Sequence, residues 1–117
     1  MGEIRSFRDL VAWQKAKTLA RAVYKWTADF PADERFGLTQ QMRRATVSVP
    51  SNIAEGYARN GRDDYVRFLR IARGSLADLV TQAELGVELG LATPNPALTD
   101  TLEETDRILN GLIRSLA

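Results

Sequence analysis

Apolar residues recur every three or four positions along most of this chain, and no stretch alternates apolar with polar over the length of a strand. That period places side chains on one face of an α-helix, whereas a period of two would mark a half-buried strand. Four such segments occur, separated by glycine or proline. The first spans about Asp9 to Asp29, with Trp13, Ala16, Ala20, Val23, Thr27 and Phe30 on one stripe and Leu19 and Trp26 widening it. Ser6 and Asp9 have the spacing of a capping box, Phe7 sits just before the stripe, and Pro31 stops the helix. The second starts near Thr39 as N-cap and steps through Leu38, Met42, Ala45, Val49, Asn52 and Gly56. Pro50 falls inside it, removes one backbone donor and collides with the carbonyl of Thr46, so a kink is predicted.

Asn60-Gly61 ends the second helix, with either residue a candidate for the left-handed position. The third segment, from about Asp63 to Leu89, keeps heptad order through Tyr65, Leu69, Ala72, Leu76, Leu79, Ala83, Gly86 and Gly90. At ~1.5 Å per residue it would run about 40 Å. A second row, Phe68, Ile71, Ser75, Leu85 and Leu89, flanks the first. It fits a contact with another subunit, or a wide core face. Gly74 in mid-helix costs roughly 1 kcal/mol relative to Ala, and close helix approach is its expected justification. Thr93-Pro94-Asn95-Pro96 is the clearest break in the chain, with Asn95 as N-cap and Pro96 in the first helical position. Leu98, Leu102, Thr105, Leu109, Leu112 and Leu116 form the fourth stripe. Short loops between four helices predict an all-α, antiparallel up-down-up-down four-helix bundle, a single domain over residues 1–117.

Composition changes the picture by subtraction. The 117 residues include no cysteine and no histidine, which removes disulfides, thiolate chemistry, the commonest metal ligand and the commonest general base. An enzyme is therefore not expected, and neither is a cofactor or a metal. The N-terminal segment Met1 to Phe7 has no apolar run of the signal-peptide kind, and no apolar stretch approaches the ~20 residues of a bilayer span. A cytoplasmic protein without a membrane partner is the expectation.

The net charge of +1 hides an asymmetry. Residues 1–75 carry 14 Lys+Arg against 8 Asp+Glu, and residues 76–117 carry 2 against 7. Such a chain can present a basic face to a polyanion or pair with copies of itself. Arginine outnumbers lysine 13 to 3, which suits bidentate phosphate contacts but is equally what a GC-rich genome would encode. Seven arginines fall within residues 43–73: Arg43, Arg44, Arg59, Arg62, Arg67, Arg70 and Arg73. Arg59 has Glu55 and Arg67 has Asp63 and Asp64 within helical reach, whereas Arg43, Arg70 and Arg73 have no acid three or four residues away. Unpaired arginines on neighbouring helices are candidates for phosphate contact, with Tyr57 and Tyr65 placed to stack on bases. The competing reading is a solvated face, or pairing with the acidic fourth helix (Asp100, Glu103, Glu104, Asp106).

Residues 38–56 read Leu-Thr-Gln-Gln-Met-Arg-Arg-Ala-Thr-Val-Ser-Val-Pro-Ser-Asn-Ile-Ala-Glu-Gly. This segment strongly resembles the four-helix-bundle family of proteins encoded in intervening sequences of bacterial 23S ribosomal RNA genes. Phe7 to Ala16, Tyr24, Phe30-Pro31, Glu34 to Leu38 and Phe68 to Leu76 match as well, so the likeness covers nearly the whole chain. The resemblance implies a homopentamer. It extends to the accessory protein of diversity-generating retroelements, which implies RNA or DNA and a reverse transcriptase as partners.

Pro50, Asn52, Glu55 and Gly56 make up the motif's structural part. Asn52 at a core position needs its amide satisfied, and the backbone groups freed by Pro50 are the expected partners. Arg44, Ser51 and Glu55 share a helix face, so an Arg44–Glu55 link is either a buried register device or a subunit contact. Glu55 has no second carboxylate at a matching offset for hydrolysis.

Overall fold

The computed structural model describes residues 2–117; Met1, the first residue of the N-terminal segment, lies outside the described residues. The chain forms α1 (Val11–Thr27), α2 (Leu38–Ala58), α3 (Arg62–Glu88) and α4 (Pro96–Leu116), with 3-10 turns at Phe7–Asp9 and Ala32–Glu34. No strand occurs among the described residues, and none of their helices is long and apolar enough to cross a membrane.

The Ser6–Asp9 box is present, but it closes the 3-10 turn rather than α1. Ser6 Oγ accepts from the Arg8 amide at 3.0 Å, and the Asp9 carboxylate accepts from the Ser6 amide at 3.1 Å. Leu10 is extended, so α1 begins later than the sequence spacing predicts. Its buried stripe keeps the expected Ala16, Val23 and Thr27 together with Leu19 from the predicted flank, and takes Ala12 in place of the expected Trp13 and Ala20. Leucine offers more apolar area than alanine, so Leu19 takes the centre. Trp13 instead packs edge-on against Phe7, with ring centroids 5.3 Å apart.

In α2 Met42, Val49 and Gly56 are buried as expected, and only the other half of the stripe is shifted by one residue. Thr39, Met42, Thr46, Val49, Ile53 and Gly56 are buried, while Ala45 and Asn52 are half-buried at its side. Thr39 is not the N-cap. Gly37 holds that position, and the Glu34 carboxylate accepts from the Leu38 amide at 3.0 Å, supplying the capping oxygen from outside the helix. Pro50 does not end α2, which continues to Ala58. Asn52 donates to the Ser48 carbonyl at 2.8 Å and to Ser48 Oγ at 2.9 Å, not to the Thr46 carbonyl that Pro50 frees. Ser75 on α3 donates to the same Ser48 hydroxyl at 3.0 Å, so the three side chains tie α2 to α3 at the proline.

Neither Asn60 nor Gly61 is left-handed. Arg59 and Gly61 are both extended, and the chain reverses through them into α3. The left-handed residue is Gly90, at φ +75°. Its amide donates to the Val87 carbonyl, and that of Leu91 donates to Gly86, a Schellman arrangement that stops α3. Gly90 is thus a cap, not a core position. Gly74 is not a point of close approach, because a Cβ there would meet nothing within 4 Å. The close approach is at Gly56, whose Cβ would lie 2.9 Å from Phe68 Cβ and 3.1 Å from the Tyr65 carbonyl.

Asn95 caps α4 as predicted, accepting from the Leu98 amide at 3.1 Å. The fourth stripe closes on Ile113 rather than Leu112. Each helix packs on the next and α4 returns to α1, giving a four-membered ring. The contacts join opposite ends of neighbours. Arg43 early in α2 reaches Tyr24 and Thr27 late in α1, Gly56 late in α2 faces Phe68 early in α3, and Trp26 late in α1 donates to the Thr93 carbonyl ahead of α4. Neighbours therefore run in opposite senses around a core that includes Leu19, Met42, Ile53, Leu69, Leu76 and Leu109, all fully enclosed. The molecule is 43 Å long, little more than the ~40 Å of α3 itself.

Candidate nucleic-acid interface

The seven candidate arginines do not form one face. Arg43 turns inward to α1: its Nε donates to Thr27 Oγ1 at 3.0 Å, its Nη2 donates to the Tyr24 carbonyl at 3.3 Å, and its guanidinium lies 4.5 Å from the Tyr24 ring centroid. It is a strut between two helices, which helical-offset counting on α2 alone does not reveal. Arg73, expected to be free, pairs with Asp106 of α4 at 3.2 Å. The acidic fourth helix does take one of the arginines, across 33 residues of sequence.

Arg59 pairs with Glu55 at 3.0 Å and Arg67 with Asp64 at 3.3 Å, both by helical proximity, while Asp63 takes no part. The two guanidinium groups also lie 4.8 and 4.6 Å from the Phe68 ring centroid, so they cover the aromatic edge of the α2–α3 contact. Glu55 is thereby engaged with Arg59, and no Arg44–Glu55 link forms within the chain. Tyr57 and Tyr65 are half-buried and pack edge-to-face with centroids 6.0 Å apart, so the contact covers one face of one ring. Burial and the neighbouring Tyr57 push the Tyr65 phenol above its ordinary range.

Arg44, Arg62 and Arg70 have no carboxylate within 4 Å among the described residues. Arg62 and Arg70 lie with Arg67 around a hollow of about 680 Å³ where α3 begins and α4 ends. Arg70 also borders an adjoining groove of about 910 Å³ between α3 and α4, together with Arg73 and Arg114. Nothing in the sequence pattern singles out Arg114, which stands alone near the end of the acidic half. Arg44 lies elsewhere, with Arg35, Arg43 and Tyr24 around a hollow of about 530 Å³ between α1 and α2. Arg35, in the loop before α2, is likewise not among the arginines that the charge pattern singles out.

Gly56, and Asn52 through Ser48, serve the α2–α3 contact. No three His, Cys, Asp or Glu side chains cluster as a metal site among the described residues.

A solved structure has the same fold: a protein of unknown function from the S23 ribosomal protein family of Bacteroides thetaiotaomicron, 21% identical. The match covers 89% of this chain and 96% of that one, with a TM-score of 0.78. No curated protein matches. The model of the 23S rRNA-intervening sequence protein family matches residues 8–113, nearly the whole bundle with its Pro50–Gly56 motif, and the chain belongs to that family.

Proposed function

We propose that the chain is a non-enzymatic scaffold that assembles with copies of itself and binds RNA or DNA by charge. The observation that carries this reading is the arginine-lined end of the α3–α4 groove, where Arg62 and Arg70 face one hollow with no carboxylate partner and Arg114 stands beside them. Two or three free guanidinium groups spread along one groove suit a phosphate backbone better than a single small anion. Self-association is supported by the outer flank of α3, where Ile71, Leu85 and Leu89 remain 43%, 41% and 64% exposed. A leucine left in water on the end of a 27-residue helix is apolar area awaiting a cover. The family likeness suggests five copies, in the cytoplasm. The absence of histidine and cysteine supports a role without catalysis.

The test is fluorescence anisotropy of a labelled single-stranded RNA across a salt series, with light scattering for the assembly. Affinity should fall steeply with salt. Arg62→Glu with Arg70→Glu should flatten the log–log slope by about 1.4, roughly 0.7 for each phosphate no longer neutralised. Binding that is absent at low salt, or indifferent to salt, refutes the reading.

A second reading is a scaffold that recruits a protein, such as a reverse transcriptase, without touching nucleic acid. The internal engagement of Arg43 and Arg73 favours it, since it withdraws two of the arginines that have no acid three or four residues away. Under that reading the double reversal leaves recruitment unchanged.

A further inference from the structure

The α3–α4 groove changes sign along its length. Beyond the arginine end it opens into a further hollow of about 590 Å³, between the last turns of α3 and the first turns of α4. Its floor is apolar: Val80 and Val87 from α3, Leu98 from α4, and the edge of Trp26. Its two banks are acidic, with Glu84 and Glu88 one turn apart on α3 and Asp100 and Glu103 on α4. None of these four carboxylates has a lysine or arginine within 4 Å among the described residues. Elsewhere on α4 the acids are used: Glu104 pairs with Lys15 at 2.8 Å and Asp106 with Arg73.

The mouth of this groove is held open by the fold. Gly90 stops α3 abruptly, Pro94 and Pro96 stiffen the connection, and Trp26 Nε1 donates to the Thr93 carbonyl at 3.4 Å, pulling the connection toward α1. The chain therefore does not cover its own groove. Binding there would meet a preformed surface and incur little ordering cost.

We propose that this groove is a docking site for a basic amphipathic helix of a partner protein. Apolar side chains spaced three and four apart would lie on the Val80–Val87–Leu98 floor, and lysines or arginines on either flank would meet the Glu84–Glu88 and Asp100–Glu103 banks. The pattern of an apolar trough between two like-charged banks is the negative image of such a helix. A second copy of this chain is a poorer occupant. Its arginine end is itself a hollow that also holds Asp63, and two concave surfaces do not interdigitate.

The test uses the full chain, nitrogen-labelled, titrated with a synthetic leucine–lysine amphipathic peptide of about 14 residues, long enough to hold a helix on the surface. A leucine–glutamate peptide of the same pattern is the control. The lysine peptide should give saturable amide shifts confined to residues 80–88 and 98–103 and to the Trp26 indole, leaving the Trp13 indole unmoved. Glu84→Lys combined with Glu103→Lys should weaken binding at least ~10-fold, as should Asp100→Lys with Glu88→Lys if the first pair disturbs the helix content. The glutamate peptide should not bind. Shifts elsewhere on the surface, equal binding of both peptides, no binding at low salt, or insensitivity to both reversals overturns the proposal. So does loss of self-association in the reversed variants, which would make a second copy the occupant.

Discussion

Glycine inside a helix lowers stability wherever nothing requires it, and two of this bundle's helical glycines are in opposite situations. At Gly111 in α4 a Cβ would meet nothing within 4 Å, so Gly111→Ala should gain the full helix-propensity difference, about 1 kcal/mol. For a domain of this size that is roughly 4 °C in Tm. Gly56→Ala gains the same propensity but places a Cβ 2.9 Å from Phe68 Cβ, 3.1 Å from the Tyr65 carbonyl and 3.2 Å from Tyr65 Cδ1. Ordinary carbon–carbon contact begins at about 3.5 Å, so more than half an ångström must be found. Phe68 Cβ and the Tyr65 carbonyl cannot rotate away, because both are fixed to the backbone of α3. The helices must part, and the Ser75–Ser48–Asn52 chain stretches with them. Overpacking of this kind costs about 1–3 kcal/mol, leaving Gly56→Ala neutral to about 2 kcal/mol less stable than the parent. Urea unfolding followed by far-ultraviolet circular dichroism, at one protein concentration and with assembly checked by light scattering, measures both variants. A Gly56→Ala protein as stable as Gly111→Ala would refute the view that α2 and α3 are locked at this glycine.

Three further outcomes are expected. Thr46 is buried with its hydroxyl unpartnered, so Thr46→Val should raise stability by about 1 kcal/mol in the same assay, and a loss of stability would show that the hydroxyl is satisfied after all. Tyr65 ionises above the usual phenol range of about 10 because burial and Tyr57 oppose its charge, so the unfolded chain gives up this proton first. Its contribution is complete below pH ~10 and lost as pH rises beyond, and Tyr65→Phe should flatten the alkaline limb of a stability–pH curve. The Lys15 hydrogen bond and charge hold the Glu104 carboxyl below the carboxylate range, so its contribution is present at neutral pH and lost on acidification through the folded value; the small Tm difference between parent and Glu104→Gln should vanish in acid.

The fold is legible because a helix writes its buried face into sequence at a period close to 3.6, and four such faces with proline and glycine between them leave few arrangements. What the period does not fix is the rotation of each helix. Trp13 and Ala20 form as regular a stripe as Ala12 and Leu19, and Ala45 and Asn52 as regular a stripe as Thr46 and Ile53. The choice is made by volume on the neighbouring helices: Leu19 and Ile53 fill the interior, while Trp13 finds a partner in Phe7 at the edge. Gly74 misleads for a related reason. A glycine in a helix announces that something is unusual, but the neighbour that would require it belongs to another element, and among the described residues nothing lies within 4 Å of where its Cβ would be.

The candidate site is less legible because charge pairing in a bundle is settled between helices. Counting acids three and four residues away identifies the partners of Arg59 and Arg67, which lie on the same helix. The same count leaves Arg43 and Arg73 free, although one is bonded to α1 and the other to α4. Once those two are removed, Arg44 stays unpaired on α2, Arg62 and Arg70 stay unpaired where α3 begins, and Glu84 and Glu88 stay unpaired where it ends. The split between a basic and an acidic half of the sequence therefore becomes a gradient along one groove, because α4 runs back beside α3 and lays Asp100 and Glu103 next to the acidic end and Arg114 next to the basic one. Opposite ends of one groove can hold ligands of opposite sign at once, so occupation of one should leave affinity at the other unchanged unless α3 moves as a body between them.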